Sequence, residues 1–156
     1  MRFSNVIWLA AAGVLLTAVG CNATPPGAFE TRVMTSAKHH LIVGNKKEKN
    51  PLPASPDVIH DGKEAFGHYC VACHGMDGQN TGVPFTMSPP APLLTSREVQ
   101  SYTDGQLKWV IDNGIWPSGM PGSKGTLSDD EIWSIVVFLR HLPPAGSAGE
   151  PEMYTH

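Results

Sequence analysis

Two cysteines three residues apart, with a histidine directly after the second, form the run Cys70-Val71-Ala72-Cys73-His74. Three chemistries use cysteines at this spacing. On a helical turn, residues three apart project from one face. Two thiols can then bond the two vinyl groups along one side of a porphyrin while the adjacent His74 sits under its iron, which is why Cys-x-x-Cys-His is read as covalent haem attachment. A redox disulfide also uses Cys-x-x-Cys, but it opens the helix that follows a strand in a βαβ unit, and no such pattern is present in the chain. A structural zinc site needs further ligands from another Cys or a His pair. Here Cys21 belongs to an export signal, and His60, His68 and His141 lack the paired spacing. The run therefore implies one covalently bound haem c per chain.

Such a haem is attached on the far side of the bacterial cytoplasmic membrane, and the N-terminus independently reads as an export signal. It has Arg2, an apolar run from Val6 to Val19 and the small residue Gly20, the three parts of a signal peptide. The apolar run is short for a stable membrane span. The stretch Leu16-Thr17-Ala18-Val19-Gly20-Cys21 resembles the lipobox of bacterial lipoproteins, with Ala18 where Leu is usual. The resemblance implies that Cys21 is acylated and becomes the new N-terminus, anchoring the protein to the periplasmic side of a membrane; the alternatives are an uncleaved anchor or soluble secretion. Of the three cysteines, two lie in the haem motif and the third is Cys21, so no structural disulfide is expected.

The net charge of −3 conceals a division. From Cys21 to Ala54 five basic residues, including Lys46, Lys47 and Lys49, face two acidic ones, a net +3. From Ser55 to Pro144 five basic residues face ten acidic ones, a net −5. The acidic part excludes a nucleic-acid binder, which needs a clustered positive surface. It suits redox partners with basic docking surfaces, or solubility alone.

The elements that must position the motif follow from the local pattern. Residues 1–20 read as signal peptide, 21–55 as a lipid-anchored flexible tether rich in proline and lysine, 56–144 as the domain and 145–156 as a disordered tail. Within the domain, Pro56 and Asp57 start a helix that runs through Ala65 and Phe66 to the cysteines. A short helix follows Thr95. Thr103 and Gln106 form a capping box for a third, with Leu107, Val110 and Ile111 on one face and Gly114 at its end. Ser128 and Glu131 cap the last helix, Asp129 and Asp130 complement its positive start, and Ile132, Ile135, Val136, Leu139 and Leu142 recur at helical spacing before Pro143 and Pro144. No stretch of comparable strength alternates with period two, so the fold is expected to be all-α.

Gly62 through Phe66 to Cys70-Val71-Ala72-Cys73-His74-Gly75, the later Gly119-Met120-Pro121, and Leu127-Ser128-Asp129-Asp130-Glu131-Ile132-Trp133 through Phe138-Leu139-Arg140 resemble class I mono-haem cytochrome c domains. The resemblance covers about residues 56 to 143 and implies three to five helices with long loops around the haem. It also implies that Gly62 lets the first helix cross closely over an aromatic residue of the last, Phe138 or else Trp133.

The second axial ligand decides between electron transfer and gas binding. Met76 lies two residues from His74 and cannot easily reach the opposite haem face, while Met34 and Met153 belong to the chain ends. That leaves Met120 and Met87. Met120 has the better context, a Gly- and Pro-rich loop between two helices that resembles the family's Met-Pro ligand loop. Ligation by His74 and Met120 would favour reduced iron, because a thioether is a soft neutral donor. The resemblance further implies a proline carbonyl accepting from the free His74 ring N–H; Pro84 is the nearest analogue, with Pro89, Pro90 and Pro92 close behind. Trp109, Trp116 and Arg97 are candidate haem propionate partners, with packing the commoner role for each tryptophan.

Together these readings give a membrane-tethered one-electron carrier rather than an enzyme. The alternatives are the haem subunit of a periplasmic dehydrogenase or respiratory complex, and a gas sensor or peroxidase with a labile sixth ligand.

Overall fold

The computed structural model describes residues 43–85, 90–115 and 119–154. They belong to a unit running from Thr35 to His156. The signal peptide, Cys21, Met34, Met87 and Trp116 lie outside the described residues. Among those described there are five α-helices and no strand: α1 Pro56–Tyr69, α2 Val71–His74, α3 Arg97–Gln100, α4 Asp104–Asn113 and α5 Asp129–Leu139, followed by a 3-10 turn, Glu152–Tyr154. None of these helices is long and apolar enough to cross a membrane.

Each helix start is written locally. Ser55 caps α1 by accepting from the Val58 N–H, ahead of Pro56 and Asp57. Ser96 does the same for α3. The two expected capping boxes are both complete: Thr103 and Gln106 on α4, and Ser128 and Glu131 on α5. In each, side chain and backbone satisfy one another's orphan donors at the helix start.

Packing centres on α1 against α5. Gly62, Ala65 and Phe66 form the buried side of α1. A Cβ on Gly62 would overlap the Ser134 carbonyl oxygen and touch Phe138 Cβ, so only glycine admits this approach. Phe66 and Phe138 then pack with tilted rings, their centroids 5.3 Å apart. The close crossing expected of Gly62 and Phe138 is thus present, while Trp133 points elsewhere and lies under the Lys108 ammonium.

Two features of α5 differ from the pattern in the sequence. Ile132 through Leu139 are all buried, not one face alone, because the 43–55 segment covers a further side: the Asn50 side-chain amide donates to the Trp133 carbonyl (2.8 Å). The helix also ends at Leu139, short of Leu142. There the Arg140 and His141 amides make tight bonds back to Val137 and Phe138, and Pro143 disfavours helical backbone at the residue before it.

Residues 43–55 and 145–154, expected as part of a free tether and a disordered tail, instead lie on the domain. In the first segment Val43 is buried. Gly44 and Glu48 carbonyls accept from the Gln106 side chain and the Gly105 N–H at the start of α4. Glu48 also packs where a side chain on Gly105 would stand. Burial of Val43 and these bonds offset the entropy of ordering the segment, a gain that local composition does not reveal.

Candidate functional site

α1 passes into α2 through Cys70, whose backbone stays in the right-handed helical region and whose N–H donates to the Phe66 carbonyl, and α2 continues from Val71 to His74. Both cysteines are half-buried and neither is in a disulfide. Burial, reinforced by the neighbouring Cys73, pushes the Cys70 thiol up to about 12. A thiol so strongly held in its neutral form is the opposite of the activated, low-pKa cysteine of a redox disulfide. The all-helical surroundings also lack the βαβ unit that such a site uses. Among the described residues no three His, Cys, Asp or Glu side chains converge to hold a metal ion.

His74 is buried and its pKa is lowered, chiefly by that burial, with the Pro92 carbonyl acting in the opposite sense. The neutral imidazole is the metal-ligating form. Its Nδ1 is buried without a hydrogen bond of good geometry. An orphaned nitrogen, two half-buried thiols and a shared turn fit a covalently attached porphyrin. The Pro92 carbonyl, rather than that of Pro84, acts on the ring. Chain geometry explains why: the Leu94 N–H donates to Gly78 O (2.7 Å) and the Asn80 side chain to Ala91 O (2.9 Å), bringing residues 91–94 back over the turn.

The loop after His74 is held by a buried carboxylate. Asp77 is 1 % exposed and accepts from the Gln79 N–H, the Thr81 hydroxyl and the Gly146 N–H at 2.9, 2.6 and 2.7 Å. Burial alone would raise its pKa, yet these donors hold it below the usual carboxylate value.

Met120 is half-buried in the loop after α4. The Ile115 N–H donates to the Met120 carbonyl (3.1 Å), while Ser123 and Lys124 amides bond back to Ile111 and Asp112. Gly114 turns the chain with φ +70°, and a side chain there would overlap the Met120 carbonyl oxygen. The methionine's backbone is therefore pinned at both sides to the end of α4. Met76 packs half-buried against the core and Met153 is exposed on the 3-10 turn. Trp109 is half-buried against the core and Arg97 is exposed.

Sequence reasoning named Pro92 only behind Pro84, and missed Asp77, Asn80 and Tyr154. Asp77 carried a signal, since an aspartate two residues before Gln79 in a Gly-rich loop suits a side-chain-to-backbone turn. Tyr154, whose hydroxyl donates to the Ala72 carbonyl (3.0 Å) from 82 residues away, had none.

Residues 57–139 match the family model described as cytochrome c oxidase, cbb3-type, subunit III. Curated relatives include the quinohemoprotein alcohol dehydrogenase ADH IIB of Pseudomonas putida, 26% identical over 57% of this chain and 12% of that protein. The cbb3-type cytochrome c oxidase subunit FixP of Rhizobium meliloti is 24% identical over 58% of this chain and 29% of that protein. The thiosulfate dehydrogenase of Stutzerimonas stutzeri is 26% identical over 76% of this chain and 42% of that protein. The chain thus spans less than half the length of each of these relatives.

Proposed function

Because the chain belongs to the cbb3-type cytochrome c oxidase subunit III family and carries a cytochrome c domain, we propose that it is a membrane-tethered one-electron carrier with a single haem c. Cys70 and Cys73 would hold the porphyrin through thioethers, and His74 and Met120 would supply the two iron ligands. When bound, the haem supplies a one-electron Fe(III)/Fe(II) couple. The protein's part is positional. Burial keeps His74 neutral and able to donate its nitrogen pair, and the Pro92 carbonyl orients the ring. Met120 presents a soft thioether that favours reduced iron. An iron filled on both faces leaves no site for substrate, so the function is to pass electrons.

The observation that carries this reading is the placement of Cys70, Cys73 and His74 on one helical turn, with a buried imidazole held near the Pro92 carbonyl. The pinned Met120 backbone supports the sixth-ligand assignment. Oxidised cytochromes with an iron–thioether bond are expected to show a weak far-red charge-transfer band. Met120→Ala should abolish it and Met87→Ala should not; an unchanged spectrum in Met120→Ala would overturn the assignment.

The tether is assigned to acylated Cys21 and residues that follow it, on the export side of the membrane. Cys21→Ser should leave the protein in the soluble fraction. For partners, a groove of about 510 Å³ between α1 and the start of α5 is bordered by Asp61, Glu64, Asp130 and Glu131 and reaches Tyr69 beside Cys70. It supports a partner with a basic docking surface.

A second reading, a haem subunit of a larger oxidoreductase, is favoured by the relatives: two are named dehydrogenases and one an oxidase subunit, and this chain covers only part of each. A stoichiometric partner that survives gel filtration from detergent would establish it over the free carrier.

A further inference from the structure

Beyond Pro144 the chain turns back across the loop that follows the haem motif, and separate contacts fix it there. The Gly146 N–H donates to Asp77 Oδ2 (2.7 Å). Glu150 packs onto Gly82, where a Cβ would stand 2.8 Å from Glu150 Cγ. Pro151 is fully buried. The Tyr154 hydroxyl donates to the carbonyl of Ala72, between the two cysteines, and its ring meets Phe85 edge-on at 6.3 Å.

These contacts fall where the motif is weakest by itself. The four-residue α2 makes too few internal bonds to be stable alone, and carbonyls in a last helical turn lack intrahelical donors. Tyr154 supplies one at Ala72. Asp77 joins two donors of its own loop to one from the tail, so loop and tail share a buried charge that neither can leave without cost.

We propose that residues 144–154 form a strap that holds the Cys70–His74 turn in its ligating conformation and keeps water from it, with Tyr154 and Asp77 as positioning residues. The strap rests on the haem assignment above. Water reaching a haem edge stabilises the more highly charged oxidised state, so loosening the strap lowers the reduction potential.

Tyr154→Phe retains the ring and removes only the hydroxyl's bond, with no change of charge. In the haem-loaded full-length protein it should speed hydrogen exchange of the His74–Thr81 amides about two- to tenfold, the factor one hydrogen bond is worth, and lower the midpoint potential in a spectroelectrochemical titration. A chain ending at Pro144 should speed exchange of the same amides further. If both variants leave those amides at the wild-type rate and Tyr154→Phe leaves the potential unchanged, the strap is overturned. Retention of haem on a denaturing gel reads the underlying assignment separately. Loss of that signal in the wild type would overturn covalent haem, while the exchange rates would still decide the strap.

Discussion

Two glycines on α1 separate what a side chain costs by contact from what it gains by stiffening the chain. Gly62 faces the Ser134 carbonyl, whereas a Cβ on Gly67 would meet nothing within 4 Å. Gly62→Ala should therefore destabilise the domain by about 1–3 kcal/mol through overpacking, and Gly67→Ala should stabilise it by about 0.5–1 kcal/mol, the helix-interior gain of alanine over glycine. Urea denaturation of the two variants measures both. Asp77 makes a prediction in pH. Its folded pKa is lowered below the ordinary 3.8, so the native state binds the proton less well than the unfolded chain. Its contribution is complete above that ordinary value and is lost as pH falls through the lowered one. Acid unfolding of the wild type should thus be steeper than that of Asp77→Asn, which lacks the titrating group; superimposable acid profiles would contradict it.

The helices were legible in the sequence to the extent that their signals are local. Ser128 with Glu131 and Thr103 with Gln106 lie three residues apart, and both boxes form as the pattern implies. The haem turn is equally local, since Cys70, Cys73 and His74 need only one stretch of helix to share a face. What escaped was non-local: the Pro92 carbonyl acts on His74 where Gly78 and Leu94 bond, and α5, buried from Ile132 to Leu139, is met by Asn50 at the Trp133 carbonyl. No window of sequence contains both partners of either contact. Arg140 belongs to the same class. Placed where α5 ends, its guanidinium donates to the Asp104 carboxylate and to the Gln100 and Tyr102 carbonyls, tying the end of α3 and the start of α4 to α5. Arg140→Lys keeps the charge but not the planar fork. It should lose about 1–3 kcal/mol of stability by thermal or urea unfolding, the range for hydrogen bonds to a charged group. A lysine variant as stable as the wild type would show that charge alone suffices.

For the molecule as a whole, charge is the property most exposed to test. The segment from Ser55 to Pro144 carries a net −5. If electron exchange proceeds through docking with a basic partner, its second-order rate should fall as ionic strength rises, since the Debye length shrinks from about 30 Å at 0.01 M to about 10 Å at 0.1 M. Asp61→Asn with Glu64→Gln should weaken that salt dependence in stopped-flow measurements. A rate indifferent to salt would assign the acidic residues to solubility.

The seating of residues 43–55 on the domain also sets a length. If Cys21 carries the lipid, a chain free as far as residue 55 could span at most about 115 Å, and each residue seated on the domain shortens that reach by about 3.4 Å. The volume a leashed domain can search grows as the cube of that radius. Under that anchor, seating residues 43–55 on the domain would confine it to a smaller space, and would raise in the same proportion its local concentration over any electron donor or acceptor embedded in the same membrane.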